Sequence, residues 1–232
     1  MSAIVGILQT VGVFLLGVVA RFGLVLLVLA AILVPVAIAL GAARGVGWAR
    51  RRLSGLRRAG GALFRDDVRY APGHTWVARE GTTEKVGVDG LVQRMLPWVV
   101  GLTLPEPGAV VKEGDVVATL SSGAGELKIT APVSGRVLSV NVAAARQPSL
   151  VKDEGYGKGW LFALEPVDAR FATLLAGEVA REWLTAESHR FDRFVESRLG
   201  VAHADGGAFV LPPASLLDGR GWDEVSRAFL GA

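Results

Sequence analysis

The residue types that could do chemistry are few in this 232-residue chain. Cysteine is absent, which removes thiol nucleophiles, disulfides, Cys-ligated zinc and iron–sulfur clusters. The three histidines, His74, His189 and His203, stand far apart and share no metal-ligand spacing, so no metal site is expected. Asp66-Asp67 and Asp153-Glu154 read as solvated turn carboxylates rather than an acid–base dyad. Gly155-x-Gly157-x-Gly159 looks like a phosphate loop but precedes a strand signal. The helix N-terminus and converging amides that hold phosphate are then missing. No catalytic residue is expected, and the chain reads as a non-enzyme.

The elements around these residues are mostly strands. Short apolar runs recur at Val86–Val88, Val99–Leu104, Ala109–Val111, Val116–Leu120, Leu127–Thr130, Arg136–Val142 and Trp160–Leu164. Between them stand Pro105-Glu106-Pro107-Gly108, Glu113-Gly114-Asp115, Ser121–Gly125 and Pro132–Gly135, which carry the backbone angles of turns. Asp89–Leu96 predicts one short helix in a sheet connection. The spacing indicates a mainly β fold, a small sandwich or barrel, rather than a parallel α/β sheet.

Tyr70–Leu161 resembles the glycine cleavage H protein family along nearly its whole length. The residues that carry the resemblance are Tyr70 and His74-Thr75-Trp76-Val77, then Leu104-Pro105, Gly108 and Val111-Lys112-Glu113-Gly114-Asp115. Ala131-Pro132-Val133-Ser134-Gly135, Val140-Asn141, Pro148, Leu150-Val151 and Tyr156-Gly157-Lys158-Gly159-Trp160-Leu161 complete it. The Gly-Asp turn and the Ala-Pro-Val-Ser-Gly step are shared by lipoyl-like domains in general; the His-x-Trp opening and the Tyr-Gly-x-Gly-Trp-Leu ending point to the H branch. The resemblance implies a lipoyl-like β-sandwich or barrel over residues 66–167.

It also implies a lipoyl lysine on a tight turn, seven residues before the small residue of the Ala-Pro step. Counting back from Ala131 lands on Ala124, which has no amine. The family's acidic residue and lysine are replaced within Ser121-Ser122-Gly123-Ala124-Gly125. Lys128 is the one lysine nearby, four positions later and on a strand. The expectation is therefore no cofactor, with lipoate on Lys128 as the alternative.

Residues 1–41 read as a membrane anchor. Phe22–Leu40 is uncharged, and nineteen helical residues extend about 28 Å, close to the ~30 Å hydrocarbon core. Pro35 within it is tolerable where neighbours satisfy the freed carbonyl. Ile4–Ala20 is a second apolar segment, either part of a tight hairpin, lying at the interface, or packed against partner subunits. Together they account for the mean hydropathy of +0.42. Residues 42–65 form an Arg-rich flank with seven arginines and no acid, which the positive-inside rule keeps on the cytoplasmic side. The expected location is the cytoplasmic (inner) membrane with the folded domain facing the cytoplasm, the flank arginines meeting anionic lipids. Taking these seven and Arg21 from the 25 basic residues leaves 17 against 22 acids, a net charge of −5. No nucleic-acid partner is expected, despite the pI near 9.6.

Residues 168–232 read as a C-terminal helical extension. Asp168 is expected to cap a helix from Ala169 towards Leu199, with Gly200 as its stop and a break possible near Thr185. Its apolar stripe is read as core-facing, with a docking face as the alternative. His203–Gly221 is Gly/Pro-rich and expected to be a loop. Trp222, Val225 and Phe229 make a last amphipathic turn, too short to stand alone. The functional expectation is a non-catalytic, non-lipoylated scaffold or docking subunit of a larger membrane assembly. The alternative is a lipoyl carrier modified at Lys128, serving a membrane-associated redox or one-carbon enzyme.

Overall fold

Gly60 and Gly61 carry φ angles of 55° and 88°, the paired positive values that close a two-residue hairpin. They join β1 (Leu56–Ala59) to β2 (Ala62–Arg65) in register from Leu56↔Arg65 to Ala59↔Ala62. The structure is a computed structural model; it describes residues 29, 33–35, 55–123, 125–199 and 219–231. The folded unit begins at Gly55.

This corrects the expected boundary at Asp66, because residues 56–65 belong to the folded unit and not to a flank. Phe64 is fully buried, Ala59 and Ala62 nearly so, and Gly60 lies against Ser188 and Thr185 of the long C-terminal helix. The proposed anchor lies outside the described residues apart from Leu29 and residues 33–35, which are helical. No helix among the described residues is long and apolar enough to cross a membrane.

Next come β3 (Arg69–Ala71), β4 (Thr75–Glu80), β5 (Thr83–Val88) and α1 (Gly90–Met95). After α1 come β6 (Gly101–Thr103), β7 (Val110–Val111), β8 (Val116–Ser122), β9 (Gly125–Thr130) and β10 (Gly135–Val140). Two short helices, α2 (Val142–Arg146) and α3 (Ser149–Asp153), lead to β11 (Phe162–Pro166). A six-stranded sheet runs β3-β4-β5-β11-β10-β7 and a three-stranded one β6-β8-β9, with every pairing antiparallel. Alternate residues of each face inward, so Val86, Val137, Phe162 and Leu164 meet Leu120, Leu127 and Ile129 in one core. The mainly β expectation holds.

Val142 does not extend β10 as expected. The Asn141 side chain accepts from Ala144 N and turns the chain into α2.

The expected helix from Ala169 is also corrected. Asp168 accepts from Arg170 N, but only a 3₁₀ turn (Arg170–Thr173) follows. Leu175 then exchanges both backbone hydrogen bonds with Tyr70, at 2.8 and 3.0 Å, so the sheet edge claims these residues. The long helix α4 (Gly177–Leu199) starts after that and runs unbroken past Thr185. Its stripe is indeed core-facing: Ala180, Leu184, Phe191 and Val195 are fully buried in a second core with Phe64, Tyr70, Trp76, Leu91 and Met95. A last helix, α5 (Gly219–Val225), continues into a wider π-type turn (Ser226–Leu230); Val225 of the helix and Phe229 of the turn complete that core.

Candidate functional site

The β8–β9 hairpin pairs as far as Ser122↔Gly125, leaving Gly123 and Ala124 between the strands. Ala124 itself lies outside the described residues. The Ser122 hydroxyl donates to Gly125 O at 3.2 Å, and Val100 N donates to Ser121 O at 2.9 Å, fastening the segment after α1 to the tip. That segment sets Trp98 against Gly123, where an added Cβ would lie 2.7 Å from the indole. Trp98 is 53% exposed, so the tip presents an aromatic surface to solvent. From the other end of the sequence, Trp222 packs on Gly125 and is only 1% exposed.

Lys152 on α3 holds the Trp98 segment. Its ammonium donates to Leu96 O and, at 3.0 Å, to Pro97 O, closing the C-terminus of α1. Burial pulls its pKa below the usual lysine value.

Lys128 does not reach the tip. It lies opposite Thr119, the fourth cross-strand pair from the turn, and faces solvent.

A buried ionic cluster lies between α1 and α4. Asp89 caps α1, its Oδ1 accepting from Leu91 N at 2.9 Å and Val92 N at 3.1 Å. Its Oδ2 lies 2.8 Å from His74 Nδ1. His74 Nε2 faces Glu187 Oε2 of α4 at 3.5 Å, and the ring stacks on Trp183 with centroids 5.0 Å apart. Burial works against a charged imidazole, but Asp89 and Glu187 outweigh it, and the pKa rises to about 9. Contact with the His74 ring, with help from Arg190, overcomes partial burial and lowers Glu187 to about 2. His74 is therefore an imidazolium joining α1 to α4. That role was not legible in the sequence, since Glu187 lies 113 positions away.

Most of the remaining described candidates make structural contacts. Asp67 pairs with Arg65 and Asp66 with Arg57. Glu154 sits near Lys158 at 3.5 Å. The glycine run is close packing: an added Cβ at Gly155 would meet Gln93, and one at Gly159 would meet the Leu150 backbone. His189 is exposed, and His203 lies outside the described residues. Among the described residues no three or more His, Asp or Glu gather as metal ligands.

A β module closed by a lipoyl-type hairpin is the class these features define. A family model described as "Glycine cleavage H-protein" matches residues 68–187, and the chain belongs to that family. It is 38% identical over 117 residues to a probable glycine cleavage system H protein of Aeropyrum pernix, covering 50% of this chain and 82% of that one. It is 39% identical over 120 residues to the glycine cleavage system H protein of Thermus thermophilus, covering 51% and 94%. The crystal structure of an H protein from Mycobacterium marinum is 26% identical and covers 56% of this chain and 99% of that one, with a TM-score of 0.46.

Glycine cleavage H proteins carry lipoate covalently on a lysine, so family membership overturns the expectation of no cofactor. The tip of this chain does not fit that group in the family's manner. The turn between Ser122 and Gly125 contains no lysine, and Lys128 stands on the strand.

Proposed function

We propose that this chain is a membrane-tethered docking module of the H-protein family, which presents its hairpin end to a protein partner of the glycine-cleavage type and performs no catalysis itself. The observation that carries the reading is Trp98, which follows the Lys152-bound Leu96-Pro97 step and packs on Gly123 yet is half exposed on the hairpin tip. Burying a half-exposed indole in a partner's pocket is the usual anchor of a protein interface. Phe22–Leu40 is the tether in this reading, and the arginines between it and Gly55 support a cytoplasmic side by the positive-inside rule, with anionic lipids as their partners. The net negative charge beyond residue 65 argues for protein rather than nucleic acid as partner.

The test uses the full chain in lipid nanodiscs and the purified glycine cleavage proteins of the same organism. Trp98→Ala is expected to weaken binding about 30-fold, the size of a hot-spot loss of ~2 kcal/mol, with little change in melting temperature. Equal binding by the variant removes the tip from the interface.

A second reading takes lipoate on Lys128, favoured by the family's cofactor and by this amine's exposure on the hairpin. Peptide mass spectrometry of chain made in a lipoylating host decides it. An adduct on Lys128 that disappears in Lys128→Arg supports the carrier.

A further inference from the structure

The family match ends at residue 187, and the helix from Gly219 to Leu230 lies beyond it. This helix runs along β9. At one end the Gly125 Cα leaves no room for a side chain, since an added Cβ would sit 2.0 Å from Trp222. At the other end, Gly73 fits between Thr130 and the Leu230 carbonyl. β9 is an outer strand of its three-stranded sheet, and Trp222 and Leu230 of the helix pack into the core beside Leu127 and Ile129 of that strand.

Much of the attachment is apolar. Phe229 meets Phe191 and Phe194 edge-on at 5.5 and 5.8 Å, and Arg190 lies over its ring at 4.1 Å. Polar ties include an Arg198–Glu224 ion pair at the surface and Arg190 donating to Ala228 O at 3.2 Å. Trp222 Nε1 is buried with no hydrogen-bond partner among the described residues, a cost that opening would relieve. Twelve residues are too few to hold a helix once detached, so opening and unfolding of this segment are one event.

We infer that Gly219–Leu230 is a displaceable strap, and that the groove it vacates along β9 is a second part of the partner's docking surface. The inference rests on the docking reading above, and its link to that surface is continuity. Trp98 packs on Gly123 and Trp222 on Gly125, two residues apart at one tip. The first indole is open to a partner, whereas the second is covered until the strap lifts. The apparent affinity of the partner then scales with the fraction of molecules whose strap is open.

Native-state hydrogen exchange on the full chain in nanodiscs, read by mass spectrometry at rising denaturant, tests it. Amides of 219–230 and of β9 are expected to exchange together in an opening that precedes global unfolding, while β10 and β11 stay protected. Trp222→Ala is expected to speed that exchange on the order of 100-fold. It should also tighten binding of the glycine cleavage partner, opposite in sign to Trp98→Ala. Strap amides that exchange only together with β10 and β11 in the unaltered chain overturn the inference, whatever the variant does. So does faster strap exchange in Trp222→Ala with unchanged partner affinity. If no partner binds any form, the docking reading fails and takes the docking role of the groove with it; the exchange result still decides whether the strap opens.

Discussion

His74 Nδ1 lies 2.8 Å from Asp89 Oδ2, and neither side chain has any exposed surface. One carboxylate thereby holds an imidazolium with one oxygen and the first turn of α1 with the other. His74 adopts this position at φ 57°, where a non-glycine residue is uncommon, so the surrounding contacts must hold it there.

Stability should fall at alkaline pH through this pair. The His74 pKa is raised in the folded state, from 6.5 to about 9, so its contribution is complete below about pH 6.5 and is lost as pH rises through 9. The loss is on the order of 3 kcal/mol. Glu187, lowered from 4.5 to about 2, acts oppositely: its contribution is present above 4.5 and lost as pH falls towards 2. Melting temperature from pH 6 to 10 is expected to drop in the native chain. It should stay nearly flat in His74→Asn, whose side chain tolerates positive φ. An undiminished alkaline drop in the variant assigns the effect elsewhere.

The β1–β2 hairpin should prove integral to the fold. Phe64 is fully buried and stacks on Tyr70 at 5.1 Å, and Gly90 at the start of α1 packs against the Leu63 carbonyl with no room for a Cβ. Phe64→Ala is expected to cost about 3–5 kcal/mol in chemical denaturation. A chain starting at Gly55 should match the native chain's stability, whereas one starting at Asp66 should fall well below it. Equal midpoints for the two shortened chains would show that the hairpin is an appendage.

Tyr156 should behave as a polar keystone rather than as apolar bulk. Its hydroxyl donates to Leu63 O at 2.9 Å and accepts from Gly90 N at 3.0 Å, so it ties β2 to α1. Tyr156→Phe keeps the ring and leaves both backbone groups buried without that partner, at a cost of about 1–3 kcal/mol. Equilibrium denaturation with an unchanged slope is the check, and a loss below about 0.5 kcal/mol would mean water replaces the hydroxyl.

The cores of β5, β8, β9 and β10 and the span of α1 were legible because each is a short alternating run between residues that prescribe a turn. Asp89 before a mixed apolar run is a helix start in any context, and the structure uses it so. The β1–β2 hairpin carried an equally local signal in Gly60-Gly61, but Arg57, Arg58 and Arg65 were grouped with the basic flank. Its strands are only four residues long, so charge overrode periodicity. Ala124 was legible as a departure because the count from Ala131 depends on spacing alone.

The amino-acid order by itself determined the strand-and-turn pattern, the family, and the loss of the tip lysine, since each is written in residues close together along the chain. Only the tertiary structure decided that Glu187 faces His74, that Leu175 pairs with Tyr70 instead of opening a helix, and that Trp222 closes over Gly125. Those partners lie about 100 residues apart, and nothing in either residue names the other. What joins them is shape and charge: a glycine without a Cβ admits an indole, a buried imidazole needs a carboxylate, and a sheet edge needs backbone partners. Such needs are met by whatever segment the completed core brings alongside, and that is settled only when the chain is folded.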